Sequence, residues 1–212
     1  PVQVGGFEWN LIANFTKVKN VCVELAPGVE SISLAGYTTP NVRASAGDTY
    51  PAIYGETILR DDNGDILIDD DPESYYYGYP QFGGFGKIGD VSPDFILGFN
   101  NTFKYKFVTL SALFDWKQGG DIYSGSNRLI GLYGAAAFTE DRETPFSYAD
   151  TENSKGVGVK SDGSVNDIVR GGPDDIWAYP DYWSDMWGGG LDELQIWETS
   201  YLKLREVALT FQ

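Results

Sequence analysis

Between residues 94 and 124, in the stretch PDFILGFNNTFKYKFVTLSALFDWKQGGDIYS, apolar and polar residues take turns, and that rhythm restricts the fold more than anything else in the chain. Phe95, Leu97, Phe99 and Phe103 share one side of a period of two, and Gly98, Asn100 and Thr102 share the other, as a strand requires. After a link at 104–107 the period resumes, with Val108, Leu110, Ala112, Phe114 and Trp116 against Thr109, Ser111 and Asp115. Pairing Phe103 with Val108 sets Phe99 against Ala112, Leu97 against Phe114 and Phe95 against Trp116, so that apolar meets apolar and polar meets polar. Each strand has about nine residues, close to the ~9–11 that a tilted strand needs to cross a bilayer. Aromatic residues stand at both ends: Phe95 and Trp116 at one, and Phe103, Tyr105 and Phe107, with Lys104 and Lys106, at the other. This has the form of two interfacial girdles around an apolar band. Ile96 and Leu113 on the polar side and Asn101 on the apolar side break the pattern. A half-buried hairpin of a water-soluble sandwich shares the same period.

The rhythm recurs near both ends of the chain. Phe7, Trp9, Leu11, Ala13 and Phe15 oppose Glu8, Asn10, Asn14 and Thr16, and Val207, Leu209 and Phe211 oppose Glu206, Ala208 and Thr210. With 50–58 added, five membrane-length strands are predicted, at 7–16, 50–58, 95–103, 108–116 and 201–211, with long loops at 59–94 and 117–200. The fold class is all-β: an antiparallel transmembrane β-barrel segment with long extracellular loops. Long loops on one side and a tight link on the other suit an outer-membrane barrel, whereas 17–49 is longer than a turn on the short side should be. Five strands leave two unpaired edges, and barrels exist to abolish edges. The chain therefore reads as one piece of a larger barrel, with an N-terminus at Pro1 that begins in mid-pattern.

Composition narrows the chemistry. Among 212 residues there is no histidine and a single cysteine, Cys22, which removes internal disulfides, the usual zinc sites and His-dependent triads. A net charge of −16, from 15 Lys and Arg against 31 Asp and Glu, argues against a nucleic-acid partner. No apolar run reaches the ~18 residues of a membrane helix, so any crossing would be made by strands.

The loops hold two further features. In ILRDDNGDILI, Asn63-Gly64 between short apolar runs predicts a hairpin with a type I′ turn. Asp61, Asn63 and Asp65 also have the oxygen spacing that opens a calcium loop, yet Ile66 stands where glycine is needed and Pro72 where glutamate is needed, so no metal is expected. The stretch DDIWAYPDYWSDMWGGG gathers Trp177, Tyr179, Tyr182, Trp183 and Trp187, candidates for contact with a ligand or a protein lid, or for a small core of the loop itself.

YPAIYGETILRDDNGDILIDDD, SPDFILGFNNTFKYKFVTLSALFDWKQGGDIYS and the closing SYLKLREVALTF, in that order and preceded by GFEWNLIANFTKVKNVCVEL, resemble the SusC/RagA family of TonB-dependent outer-membrane transporters. The resemblance implies a roughly 22-stranded barrel filled by a plug. It implies import of oligosaccharides or peptides across the outer membrane of a Bacteroidetes-type Gram-negative cell. Expected partners are the remainder of the barrel, TonB, a SusD-like lipoprotein and outer-membrane lipid. No plug domain or TonB box stands in this chain, which reads as a late-middle portion of the wall. Phe7, Trp9, Leu11, Phe15, Leu97, Phe99, Leu110, Phe114, Leu209 and Phe211 would face lipid. Glu8, Asn10, Asn14, Asn100, Thr102, Ser111 and Thr210 would face the lumen. No catalytic residues and no cofactor are expected.

Two rivals compete with this reading. A secreted acidic β-sandwich that binds carbohydrate accounts for the alternation and the aromatic residues. A glycosidase would need a carboxylate pair, and none of the 31 acidic residues is singled out by spacing.

Overall fold

A computed structural model describes residues 1–36, 39–148 and 157–212; residues 37–38, and 149–156 within the expected loop 117–200, lie outside the description. The chain opens with β1 (Val2–Val4) and β2 (Phe7–Thr16), joined across Gly5 and Gly6, whose positive φ angles of 57° and 84° suit a two-residue hairpin turn. A first excursion carries β3 (Ser31–Gly36), β4 (Asn41–Ser45), β5 (Ala52–Ile58), β6 (Ile66–Leu67) and β7 (Phe82–Asp90). The central hairpin follows as β8 (Phe95–Tyr105) and β9 (Val108–Gln118). A second excursion holds β10 (Asp121–Tyr123), α1 (Gly125–Leu132), β11 (Gly158–Val159) and a π-helix over Tyr182–Gly190, then returns through β12 (Ile196–Glu198) to β13 (Tyr201–Phe211).

β1, β2, β8, β9 and β13 form one antiparallel sheet, hereafter the wall, in the order β1-β2-β8-β9-β13; no sheet closes on itself among the described residues. Thr16 lies opposite Ile96, and Lys117 lies between Ile96 and Tyr201, so both excursions leave from the same end. The other end carries the short turns at 5–6 and 106–107. The stretch 52–58 is not a member of the wall: it pairs with β4 and β7 in a second sheet, β3-β4-β5-β7. With 52–58 removed from the count, 17–49 belongs to the first excursion, and long and short connections alternate.

The hairpin register differs from the expected one by two residues. Phe103 opposes Leu110 and Tyr105 opposes Val108, which leaves only Lys106 and Phe107 in the turn. Lys104 and Tyr105 stay in the strand because β2 holds them from the other flank, Glu8 opposite Lys104 and Phe7 opposite Tyr105. An even shift preserves the faces; a shift of one would have exchanged them. β13 solves a different problem of phase. Leu202 and Leu204 are out of step with Val207, Leu209 and Phe211, and a bulge at Arg205 absorbs one residue, bringing all five onto the same side. The bulged Arg205 donates to Asp115 at 2.6 Å.

No residue of the five wall strands is buried. A sandwich would cover the apolar face with a second sheet, and none of the described residues does so: Phe15 and Phe211 remain 62% and 65% exposed. The core lies instead in the excursions, where Ile58, Ile66, Ile68, Tyr79, Met186, Trp187 and Leu194 pack together in what we call the module.

Two carboxylates tie the module to β5. β4 pairs with β5 only as far as Tyr54, so the amides beyond it on that flank need other acceptors. Asp192 accepts from Glu56 N at 3.0 Å and Glu193 accepts from Ile58 N at 2.8 Å; Glu193 also binds Arg60 at 2.7 Å. Gly55 makes the approach possible, since a Cβ there would lie 2.8 Å from Asp192 Oδ2. α1 meets the π-helix just as closely: a Cβ on Gly131 would lie 2.2 Å from Trp187 Nε1. The wall and module are joined by a bent ribbon. β10 and β12 continue the β9–β13 ladder past Gly119 and Gly120, where Thr199 N donates to Gly120 O at 2.8 Å and Gly119 N donates to Ser200 Oγ at 2.7 Å.

The Asn63-Gly64 turn is a hairpin, but not of type I′. Gly64 alone has positive φ, at 90°, and Asp61 Oδ1 accepts from Asn63 N and Asp65 N, each at 2.9 Å, which shapes a longer loop.

Asp192→Ala strands the Glu56 amide, and Gly55→Ala displaces the same carboxylate. Each is expected to cost about 1–3 kcal/mol, with the double variant well short of the sum. Urea unfolding followed by tryptophan fluorescence checks both; additive losses would show that the two residues act separately.

Candidate functional site: a two-faced wall beneath an aromatic module

The wall sorts its side chains by strand parity. One face carries Phe7, Trp9, Leu11 and Phe15 of β2, Leu97 and Phe99 of β8, Leu110 and Phe114 of β9, and Leu209 and Phe211 of β13. Phe99 stacks on Phe114 with centroids 4.9 Å apart, Trp9 stacks on Phe103 at 6.2 Å, and Phe15 on Phe95 at 5.6 Å. Asn101, the polar intruder on this face, accepts a hydrogen bond from Trp9 Nε1 at 3.1 Å, which satisfies both groups. Sequence reasoning missed Leu202 and Leu204 here, because the bulge that brings them round has no signal except the lost phase itself.

Glu8, Asn10, Asn14, Asn100, Thr102, Ser111 and Thr210 share the opposite face. Asn10, Thr102 and Ser111 form a polar row on it, Asn10 opposite Thr102 and Thr102 opposite Ser111, and the row ends at Ala208 of β13. Asn100 sits between Ile12 and Leu113, and its Oδ1 has no hydrogen-bond partner among the described residues.

The five aromatic candidates of the second excursion divide by depth. Tyr182, Trp183 and Trp187 are buried, and Trp183 meets Tyr182 and Trp187 edge to face at 4.9 and 5.3 Å. Burial first, then Tyr148, pushes the Tyr182 hydroxyl well above its ordinary pKa. Trp177 is 67% exposed. Tyr179 packs on Phe146 at 4.7 Å and donates to Thr144 O at 2.6 Å. Trp177, Tyr179 and Trp183 line a cleft of 410 Å³ together with Tyr133, Arg142 and Asp181. Arg142 is held by the carbonyl oxygens of Thr139 and Gly134, at 3.1 and 2.9 Å. The Asp181 carboxyl is raised by burial and by the neighbouring Asp185. Flat rings beside fixed polar groups can grip a ligand by stacking and by hydrogen bonds.

A second cleft, of 520 Å³, opens between the two excursions and was not foreseen in the sequence, because its residues are scattered. Glu56 comes from β5, Tyr76 and Phe82 from the first excursion, Arg128 from α1, and Asp185 and Asp192 from the second excursion. Arg128 donates to Tyr123 Oη at 2.9 Å and to Gly188 O at 2.5 Å, and lies 3.8 Å from Asp192. Asp185 accepts from Tyr75 Oη and Ser184 Oγ, both at 2.8 Å. That hydrogen bond, with the negative charge beside it, pushes Tyr75 up to about 12.

Exposure makes a test of the aromatic cluster. Trp187→Ala is expected to cost about 3–5 kcal/mol and Trp177→Ala well under 1 kcal/mol, read from thermal unfolding; equal losses would mean that Trp177 belongs to the core.

No family model matches the chain. It is similar to TonB-dependent receptor P3 of Formosa agariphila, 26% identical over an alignment 165 positions long that covers 68% of this chain. The chain spans 16% of that receptor's length. The likeness supports the TonB-dependent transporter family, a family of transporters rather than enzymes, for a chain whose longest strands form one antiparallel wall.

Proposed function

We propose that this chain is a section of the wall of a TonB-dependent outer-membrane transporter of the SusC/RagA type, with both excursions on the extracellular side. The observation that carries the reading is an uncovered apolar face, framed by aromatic residues at both ends, with every long connection at one end and every short turn at the other. An eleven-residue strand at about 3.3 Å per residue spans roughly 36 Å. Tilted by about 45°, it rises ~25 Å, the height of the apolar band in such barrels. Leu97, Phe99, Leu110 and Phe114 then face lipid, while Asn10, Thr102 and Ser111 face the lumen. The outer edge of β13 has no strand partner among the described residues, which suits a neighbouring strand from the rest of a barrel.

The whole transporter imports oligosaccharides or peptides, drives the step through TonB and works beneath a SusD-like lipoprotein. The 410 Å³ cleft and exposed Trp177 supply a place for substrate or for the lid, while Tyr182 and Trp187 act from beneath by holding the cleft in shape. Likeness to a TonB-dependent receptor supports this assignment.

The test uses the full polypeptide. It is expected to need detergent and to change its electrophoretic mobility on boiling. Phe99→Arg places a charge on the lipid face beside the midpoint of β8, at a cost of about 2–4 kcal/mol near the midplane, and should abolish the heat-modifiable band. Thr102→Arg, within the polar row, should leave that band intact. Equal damage from the two variants, or a water-soluble product, would reject the wall assignment and favour a carbohydrate-binding sandwich.

A further inference from the structure

We infer that the 520 Å³ cleft binds an organic cation, the alkyl ammonium or guanidinium group of an extended substrate, between Glu56 and Asp185. Carboxylates alone would not define such a site; the cleft adds volume, aromatic walls and an imbalance of charge. Three carboxylates and one guanidinium line it. The guanidinium of Arg128 is already spent, held by Tyr123 Oη, Gly188 O and Asp192. Asp192 is likewise engaged, by the Glu56 amide, by Thr39 Oγ1 and by Arg128. Glu56 and Asp185 are left without a counter-charge among the described residues. Asp185 is aimed rather than loose, because Tyr75 and Ser184 each fix one of its oxygens.

The remaining lining suits an organic cation rather than a bare ion. No three metal-ligating side chains converge anywhere among the described residues, and a bare hard cation needs more oxygen ligands than Glu56 and Asp185 supply. Tyr76 and Phe82 meet edge to face at 5.6 Å and give the cleft an aromatic wall, the surface that attracts alkyl ammonium and guanidinium groups. Gly189 and Gly190 form part of the lining without side chains, and a Cβ on Gly190 would strike the Phe82 ring at 2.6 Å. Glycine there keeps the ring in place and the cleft open.

The inference names a class of cargo for the transporter proposed above and rests on that reading only in calling the ligand cargo. An amino sugar and a basic peptide carry the same chemistry, so both are tried. Calorimetric titration of the full polypeptide in detergent would use the glucosamine trimer and trilysine, with the N-acetylated trimer and trialanine as neutral controls. At least one amine is expected to bind at least about tenfold more tightly than its control, more weakly as salt rises, and about tenfold more weakly in Glu56→Gln. The glucosamine arm or the lysine arm identifies the source. Asp185→Asn should act alike; Glu56→Gln carries the test alone if that variant misfolds, because the Glu56 carboxylate makes no hydrogen bond among the described residues. Binding of neither amine, equal binding of the controls, or affinity unchanged in Glu56→Gln would overturn the inference. Amine binding by a water-soluble product would keep this site and reject the barrel, and a heat-modifiable barrel indifferent to both amines would do the reverse.

Discussion

A strand has two faces and no third, and the structure depends on four long strands keeping their faces in step. Once Phe7 to Phe15 of β2 agrees with Leu97 to Tyr105 of β8, each further ladder either extends the apolar side or spoils it. β9 agrees without adjustment. β13 agrees only because Arg205 is swallowed by a bulge, and the price is met in part by its contacts with Asp115. Main-chain hydrogen bonds run sideways through the whole wall, while its apolar side chains meet no second layer among the described residues.

The module obeys a different rule. It has the buried core that the wall lacks, and it draws that core from both excursions, Ile58 to Tyr79 from the first and Tyr182 to Leu194 from the second. Neither excursion could bury those residues alone. Asp192 and Glu193 settle how they meet, since β5 presents two amides at a fixed spacing and two consecutive carboxylates answer them. Placement of the clefts follows: one forms where α1 and the π-helix leave a gap beside Trp177, and the other where the two excursions face each other.

Period two is the plainest code in the sequence, and the parts written in it could be read directly. The 7–16 and 201–211 strands and the central hairpin stand where the alternation puts them, with the hairpin register off by an even step that leaves its faces unchanged. Tyr50 to Ile58 deceived for a physical reason: a strand buried within a second sheet has the same length and composition as one that crosses a membrane, and only its neighbours tell them apart. The aromatic-rich stretch announced that it mattered but not how, because burial of Trp187 and exposure of Trp177 depend on where Gly131 and Gly188 let α1 approach. The acidic cleft gave no sign at all. Glu56, Arg128 and Asp185 lie far apart in the chain, and nothing but the folded module brings them together.

The bent ribbon at Gly119-Gly120 and Thr199-Ser200 has a mechanical meaning. Hydrogen bonds continue through the bend, so β9 and β13 enter the module as a coupled pair rather than as two loose tethers. A coupled pair resists shear and carries twist. If the wall changes its tilt, the ribbon turns with it, and Asp121, which accepts from Asp90 N at 2.8 Å, passes that turn to the end of β7 and so to the second sheet. Through the ribbon and this hydrogen bond, β9 and β13 share a continuous hydrogen-bonded path with the second sheet, from which the 520 Å³ cleft takes Glu56.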